Sequence, residues 1–414
     1  MSTSAAAPTA PMPFADRTDE KLAMLERTGQ LKRLRTITTP MDAEIRMILD
    51  DGPHAGQERD YLCFCSNNYL GLANHPEVVD AGIEALRTYG AGTASVRFIC
   101  GTFAPHAELE HRIAQLMGTE SSYTFVSCWT ASESLFPTFC EPGDLVLSDE
   151  LNHACIIDAI RLTPVIKKGV HKGVFKHSDM GDLRTKLEAA AANPEVTGQV
   201  WVVTDGVFSM EGDIAELPAL RALCDEFGAL LVVDDSHGTG VLGTTGRGVH
   251  EHYDMVGQVD FFTGTLGKAL GGGAGGFIAG PARGSELIIQ RGRPTLFSNA
   301  LPVTVACSAG KAIEILQREP ERVQRLRDNT TSARTKIRDA GFEVLDSPTA
   351  ICPIIVGDTA TAIAMSNELL NHGVFAIGFG YPVVPEGTAR IRIQISAAHT
   401  EHHIDALVDA LKKL

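Results

Sequence analysis

Ala229-Leu-Leu-Val-Val-Asp-Asp-Ser-His237 is an apolar, β-branched run that stops on two acids and a histidine. A strand that is apolar on both faces belongs inside a parallel sheet covered by helices, and ligands bind such sheets beyond the carboxyl ends of their strands. Upstream, Gln199-Val-Trp-Val-Val-Thr204 reads as a second strand, and Leu217 to Phe227 as a helix that Gly228 ends. Strand, helix and strand make a βαβ unit. Downstream, Phe261-Phe-Thr-Gly-Thr-Leu-Gly-Lys-Ala-Leu-Gly-Gly-Gly273 runs from another apolar strand into a glycine-rich turn carrying Lys268. Short strands and helices alternate in this way over residues 61–302, which predicts a large α/β domain. Beyond 302 the pattern turns helix-rich, with strands at 350–356 and 389–395 and a last helix over 400–414, so residues 303–414 read as a smaller α+β domain. Residues 1–60 form a leading arm. Its first 13 residues are rich in Ala, Pro, Ser and Thr and are expected to be disordered, and the pattern over 18–35 predicts a helix.

Composition narrows the function. A chain of 414 residues, 44% hydrophobic, can bury a large core in two or three domains. Its 36 basic and 51 acidic side chains give a formal charge of -15, which argues against nucleic acid or an anionic membrane as the main partner. No apolar stretch is long enough to span a bilayer. The nine cysteines are odd in number and lack both a C-x-x-C pair and zinc-like spacing, and no secretory leader precedes them. A reducing, cytoplasmic setting without a bound metal is expected. Cys155 and Cys224 sit among apolar residues and read as small buried hydrophobes.

Lys268 carries the chemistry. A strand end packed with glycines gives a lysine stem no amphipathic face to cover, which favours a Schiff-base lysine. Thr265 stands three residues earlier, where its hydroxyl can reach a phosphate. A Walker-type loop is excluded, because Ala269 follows Lys268 and no glycine lies five positions before Gly267. A pyridoxal phosphate (PLP) enzyme needs a carboxylate that keeps its pyridine nitrogen protonated, and Asp234 fits that role. His237 is placed to hydrogen-bond the phenolic oxygen. Taken alone, an acid and a histidine at a strand end also describe a solvated loop; Lys268 on a following strand outweighs that reading.

With these residues in view, the chain resembles the α-oxoamine synthases of the PLP-dependent transferase fold type I superfamily. The likeness runs from about Tyr61 to the C-terminus through Ser66-Asn-Asn-Tyr-Leu-Gly71, Ala94-Ser-Val-Arg-Phe-Ile-Cys-Gly-Thr102, Leu151-Asn-His-Ala154, Thr204-Asp-Gly-Val-Phe-Ser-Met210, Val233-Asp-Asp-Ser-His237, Gly264-Thr-Leu-Gly-Lys-Ala-Leu270, Leu296-Phe-Ser-Asn299 and Ala389-Arg-Ile-Arg-Ile-Gln-Ile-Ser-Ala-Ala-His-Thr400. The resemblance implies a large domain with a mainly parallel seven-stranded sheet, a smaller C-terminal α+β domain, and PLP as cofactor. The implied reaction condenses glycine, or another small amino acid, with acetyl-CoA or another acyl thioester. It further implies that His153 lies against the cofactor ring, although a histidine capping the next helix is the structural alternative. Ser209 is implied beside the cofactor, and Arg392 as the fork that clamps the substrate carboxylate. Asn67 and the pair Phe297 and Ser298 are implied to reach into a neighbouring protomer, making a homodimer with shared sites.

The expected phosphate cradle departs from the family pattern. Here Ser127-Cys128-Trp129-Thr130-Ala131-Ser132-Glu133 stands where relatives commonly read Ser-Cys-Phe-Asp-Ala-Asn-Gly. Cys128 and Trp129 keep their places beside the cofactor, while Thr130 and Ser132 are expected to add hydroxyl donors and Glu133 to point away. Gly380 replaces a bulky aromatic, which is expected to open space, and Glu386 replaces a lysine. These changes leave two alternatives standing: an α-oxoamine synthase using another acyl donor or amino acid, and thioester-independent Cα chemistry such as racemisation.

Overall fold

The computed structural model describes residues 12–414. The tail expected to be disordered lies almost wholly outside the described residues. The main sheet has seven strands: β1 (Ser121–Phe125), β2 (Leu145–Asp149), β3 (His171–Phe175), β4 (Val200–Asp205), β5 (Leu230–Asp234), β6 (Phe261–Thr265) and β7 (Gly276–Gly280), in the spatial order β1-β7-β6-β5-β4-β2-β3. Strands β3, β2, β4, β5 and β6 are parallel, and β7 runs antiparallel to both its neighbours. The predicted α/β sheet is therefore present, with the opening sequence as its central strand.

Side chains alternate across the sheet, and each face meets its own helical layer. Leu231, Val233, Val202 and Phe262 join one buried cluster, and Val232, Val203, Trp201 and Phe261 join another on the opposite face. Helix Leu217–Phe227 closes on Gly228, whose φ of 66° supplies the left-handed cap that an L side chain resists. Because the parallel strands point the same way, Asp149, Asp205 and Asp234 all fall at one edge of the sheet, the last residues of β2, β4 and β5.

Two smaller sheets complete the fold. Ile351–Gly357, Ala389–Gln394 and Ile377–Phe379 form an antiparallel sheet with Ala389–Gln394 in the middle. The arm contributes Thr36–Ile37, Glu44–Ile48 and Glu58–Cys63 to a second sheet, whose fourth strand is Val374–Phe375 from the other end of the chain. The first helix spans Phe14–Arg27, shorter at its far end than the predicted 18–35, because Gly29 with φ 67° turns the chain out of the helix. No residue of that helix is buried.

Candidate active site

The edge where β4, β5 and β6 end opens on a cavity of about 180 Å³ lined by Cys128, Trp129, His153, Cys155, Asp205, Val207, Asp234, Ser236, His237, Thr265 and Lys268. Most of these positions come from the first residues after a strand or the first turn of a helix, so the topology itself gathers them.

Lys268 enters on the turn after β6. Burial holds its ammonium below the ordinary lysine pKa, while the Asp234 carboxylate pulls the other way. Asp234 is only 4% exposed, and its carboxylate is held firmly. Thr263 donates its hydroxyl to Oδ2 at 2.8 Å, Ser236 donates its backbone N–H to Oδ1 at 3.0 Å, and the Cys128 thiol lies 3.2 Å from Oδ2. His237 is buried, and its pKa is driven well down by burial and by the nearby cations Lys268 and Arg392, so the ring is neutral. Tyr69 Oη sits 2.8 Å from its Nδ1.

His153 caps the next helix and also lines the cavity. Its Nδ1 accepts the backbone N–H of Cys155 at 3.2 Å, capping helix Ala154–Ile166, and the ring still lines the cavity, edge-on to Trp129 at 6.3 Å between centroids. Cys155 lies 3.0 Å from the same nitrogen. The neighbouring Cys128 thiol, reinforced by His153, lowers the pKa of the Cys155 thiol, and this cysteine is part of the cavity wall as well as of the core.

Arg392 stands on the central strand of the C-terminal sheet. It donates from Nη1 to the Ser209 carbonyl at 2.9 Å and from Nη2 to Gln394 Oε1 at 3.4 Å, and it lies over the Phe379 ring at 4.8 Å. Ser209 thus takes part through its main chain. Arg390, two residues earlier on the same strand, is spent on Glu211 at 3.0 Å and on the Met210 carbonyl.

Other predicted positions are engaged within their own chain. Asn67 Oδ1 accepts from Gln394 Nε2 at 2.6 Å, and Gln394 in turn bonds Arg392. Thr265 lines the cavity with Lys268. It donates its one hydroxyl hydrogen to the Gly275 carbonyl at 3.2 Å and accepts from Gly267 N–H, which fixes the turn before Lys268. Thr130 and Ser132 likewise spend their hydroxyls on the Ser127 and Cys128 carbonyls. Gly380 opens no space, since a Cβ there would lie 2.4 Å from the Thr359 side chain. Glu133 does point away, accepting the Trp129 indole N–H at 3.0 Å. Phe297 and Ser298, implied to serve a neighbouring protomer, line no part of the Lys268 cavity of their own chain; Ser298 borders a small cleft with Arg97, Tyr123 and Thr130.

Asp205, Tyr69 and Gln394 were not singled out from sequence. Asp205 had a usable signal, because it ends an apolar parallel strand as Asp234 does. It is buried, with Oδ2 accepting the His153 N–H at 3.2 Å and Oδ1 without a partner among the described residues. Burial, and the Asp234 carboxylate next to it, push its pKa well up.

The donor set fits PLP. An amine for the aldehyde carbon, a carboxylate for the ring nitrogen and a neutral imidazole for the phenolic oxygen share one cavity. The unpartnered Asp205 oxygen marks a place where the wall awaits a polar group. The helix Cys128–Phe139 starts at the same cavity; Ser127 caps its Thr130 N–H, and the first-turn N–H groups of Cys128 and Trp129, which that cap leaves over, suit a phosphate. Fold and cavity together define a PLP-dependent enzyme on fold type I.

Comparison with known proteins places the chain more closely. Residues 59–411 match the aminotransferase class I and II family. The chain is 45% identical over 390 residues to the mitochondrial 2-amino-3-ketobutyrate coenzyme A ligase of Homo sapiens, covering 94% of this chain and 89% of that protein. It is 40% identical over 402 residues to the enzyme of the same name from Escherichia coli K12, covering 97% of both. An 8-amino-7-oxononanoate synthase of Symbiobacterium thermophilum is 41% identical over 406 residues, covering 97% of this chain and 98% of that one. Among solved structures, a Sphingomonas wittichii serine palmitoyltransferase superposes with a TM-score of 0.86 at 27% identity, covering 97% and 96%. The chain belongs to the aminotransferase class I and II family, in its α-oxoamine synthase branch.

Proposed function

We propose that this enzyme joins glycine to the acetyl group of acetyl-CoA, releasing CoA and a 2-amino-3-keto acid. The observation that carries the reading is one buried lysine sharing a cavity with Asp234 and His237, within a chain 40–45% identical to proteins named 2-amino-3-ketobutyrate coenzyme A ligase.

When bound, PLP supplies an electron sink for the pair left at Cα as a Cα–H bond breaks. Lys268 is the residue that holds the group, and Asp234 is the anion that keeps the ring nitrogen protonated. Burial favours the free amine of Lys268, so its Nζ can take the proton from the amino-acid Cα without first losing one to solvent. The Arg392 fork fixes the substrate carboxylate, with Asn67 beside it, and so selects which Cα bond stands toward the sink. His153 covers one wall of the cavity and narrows it together with Trp129, which favours a small amino acid. The acyl thioester is then attacked and CoA leaves.

The protein works as a homodimer in this reading, with Phe297 and Ser298 of each protomer completing the other's cofactor site. Its nine cysteines are all free, and no helix among the described residues is long and apolar enough to cross a membrane. A reducing compartment such as the cytoplasm suits both facts.

Release of free thiol from acetyl-CoA, followed colorimetrically with glycine, alanine and serine in turn, tests the assignment. Thiol release with glycine supports it; none with any amino acid sinks it. A second reading keeps the chemistry and changes the acyl donor, and it is favoured by the 41% identity to an 8-amino-7-oxononanoate synthase. An acyl-CoA series from acetyl upward in the same assay separates the two.

A further inference from the structure

Five side chains, from the carboxylate clamp to the cofactor cavity, form one continuous hydrogen-bonded network. Arg392 Nη2 meets Gln394 Oε1 at 3.4 Å; Gln394 Nε2 meets Asn67 Oδ1 at 2.6 Å and Tyr69 Oη at 2.9 Å; Tyr69 Oη meets His237 Nδ1 at 2.8 Å. Tyr69 is fully buried, and Gln394 is 1% exposed. A polar network sealed this deeply is costly unless every member is satisfied.

Only one arrangement of protons satisfies it. A guanidinium can only donate, so the Gln394 oxygen must face Arg392 and its amide nitrogen must face the other way. That nitrogen has two hydrogens, one for Asn67 and one for Tyr69. The Tyr69 oxygen is therefore an acceptor toward Gln394, and its single hydrogen is left for His237. Nδ1 of His237 must accept it, which puts the imidazole proton on Nε2. This second nitrogen has no hydrogen-bond partner among the described residues and belongs to a side chain lining the cavity.

We infer that Gln394 and Tyr69 are positioning residues that pass the fixed donor character of Arg392 through a one-way relay to His237, locking its ring as the Nε2–H tautomer so that it offers a donor to the cofactor. The group that grips the substrate thus also sets the polarity of a group that meets the cofactor. The last link rests on the cofactor reading above; the relay itself does not.

The test is nitrogen NMR of full-length protein labelled with [15N]histidine, with and without PLP, the His237 signal being assigned from a His237→Gln sample. In the wild type at neutral pH, Nδ1 is expected at the unprotonated, acceptor position and Nε2 at the protonated one. Tyr69→Phe removes one oxygen and is expected to give a mixture of tautomers. Gln394→Glu is the sharper variant, because a carboxylate cannot donate. Tyr69 then gives its hydrogen to Glu, and His237 is expected to reverse to Nδ1–H. A wild-type His237 protonated on Nδ1, or charged, overturns the relay, as does an unchanged tautomer in Gln394→Glu. If Tyr69→Phe does not fold, the wild-type and Gln394→Glu spectra still decide. The visible absorption of bound PLP reads the last link: a relay confirmed by NMR without any shift of that band in Gln394→Glu removes the cofactor contact of His237 and leaves the relay standing. In kinetics, Tyr69→Phe is expected to lower kcat about tenfold with little change in the KM for glycine, a split that general loosening of the fold does not produce.

Discussion

Lys268 works only as a free amine, and its surroundings favour that form. Burial lowers its pKa against the opposing pull of Asp234, which is the direction that a group taking up a proton requires. Lys268→Ala is expected to lower turnover by about 10³-fold or more. Borohydride treatment followed by peptide mass analysis reads the same residue directly, because a PLP adduct fixed on Lys268 in the wild type should be missing in the variant. Arg392 makes a different demand, since its fork already bonds the Ser209 carbonyl and Gln394 and must still meet a carboxylate. Arg392→Lys supplies a point charge without the fork, and the KM for the amino acid is expected to rise on the order of tenfold to a hundredfold with a smaller change in kcat. Initial-rate kinetics against glycine concentration check this. The residues legible in the sequence, Lys268, Asp234, His237 and His153, are those that strand ends deliver. Tyr69 and Gln394 were hidden because the bond between them and the one from Tyr69 to His237 each span more than 160 positions. Thr130, Ser132 and Thr265 are less legible for the opposite reason: their hydroxyls bond within the turn or helix that carries them, or close beside it, and sequence does not say how a hydroxyl is spent.

Elements set the shape of the cavity floor. Strand β7 begins at Gly276 so close to the start of helix Cys128–Phe139 that a Cβ there would fall 2.3 Å from the Cys128 nitrogen. Gly276→Ala must push the helix start away, at a cost of about 1–3 kcal/mol. It should lower the urea midpoint and weaken PLP binding in an absorbance titration together, since one displacement causes both. A second element-scale feature ties strand ends outside the cavity. His177 lies 3.0 Å from Asp149 at the end of β2 and 2.8 Å from Asp213 in the loop beyond β4, and these two carboxylates raise its pKa to about 10 despite partial burial. Its folded pKa lies above the unfolded value near ~6.5. The ion pairs therefore stabilise fully below that value, and their contribution is lost as pH climbs toward 10. His177→Gln is expected to be less stable than wild type at pH 6, with the gap in urea midpoint closing by pH 10; a gap of constant size would show that packing on Phe208, not charge, is what His177 contributes. At this scale the βαβ core was legible because period and punctuation are local signals. The sheet that joins residues 44–63 to Val374–Phe375 was not, because its pairing closes a loop of some three hundred residues and leaves no local mark.

The whole molecule carries apolar surface that one chain does not explain. Phe297 is 74% exposed, Ile99 68% and Phe98 57%, and the two segments that bear them are tied together by the Ala300 N–H donating to the Ser95 carbonyl at 3.1 Å. Helix Phe14–Arg27 has no buried residue, yet carries Phe14, Leu22 and Met24 in the open. Large aromatic and aliphatic side chains grouped on a rigid surface mark a place another protein surface covers. A second copy of this chain is the economical occupant, because a two-fold interface buries the same patch twice and brings Ser298, which faces no part of its own cavity, toward another one. One substitution is then also counted twice. Phe297→Asp would place two carboxylates in that interface, and light scattering on the eluted protein should shift from about twice the 44.3 kDa chain mass to the single chain. PLP affinity should fall in the same variant although Phe297 does not line the cavity of its own chain, and the two losses should recover together as protein concentration is raised. A wild-type protein that elutes as a single chain with full activity would sink the shared-site arrangement. A variant that separates into single chains but keeps its PLP affinity would retain the dimer and confine each cofactor site to one protomer.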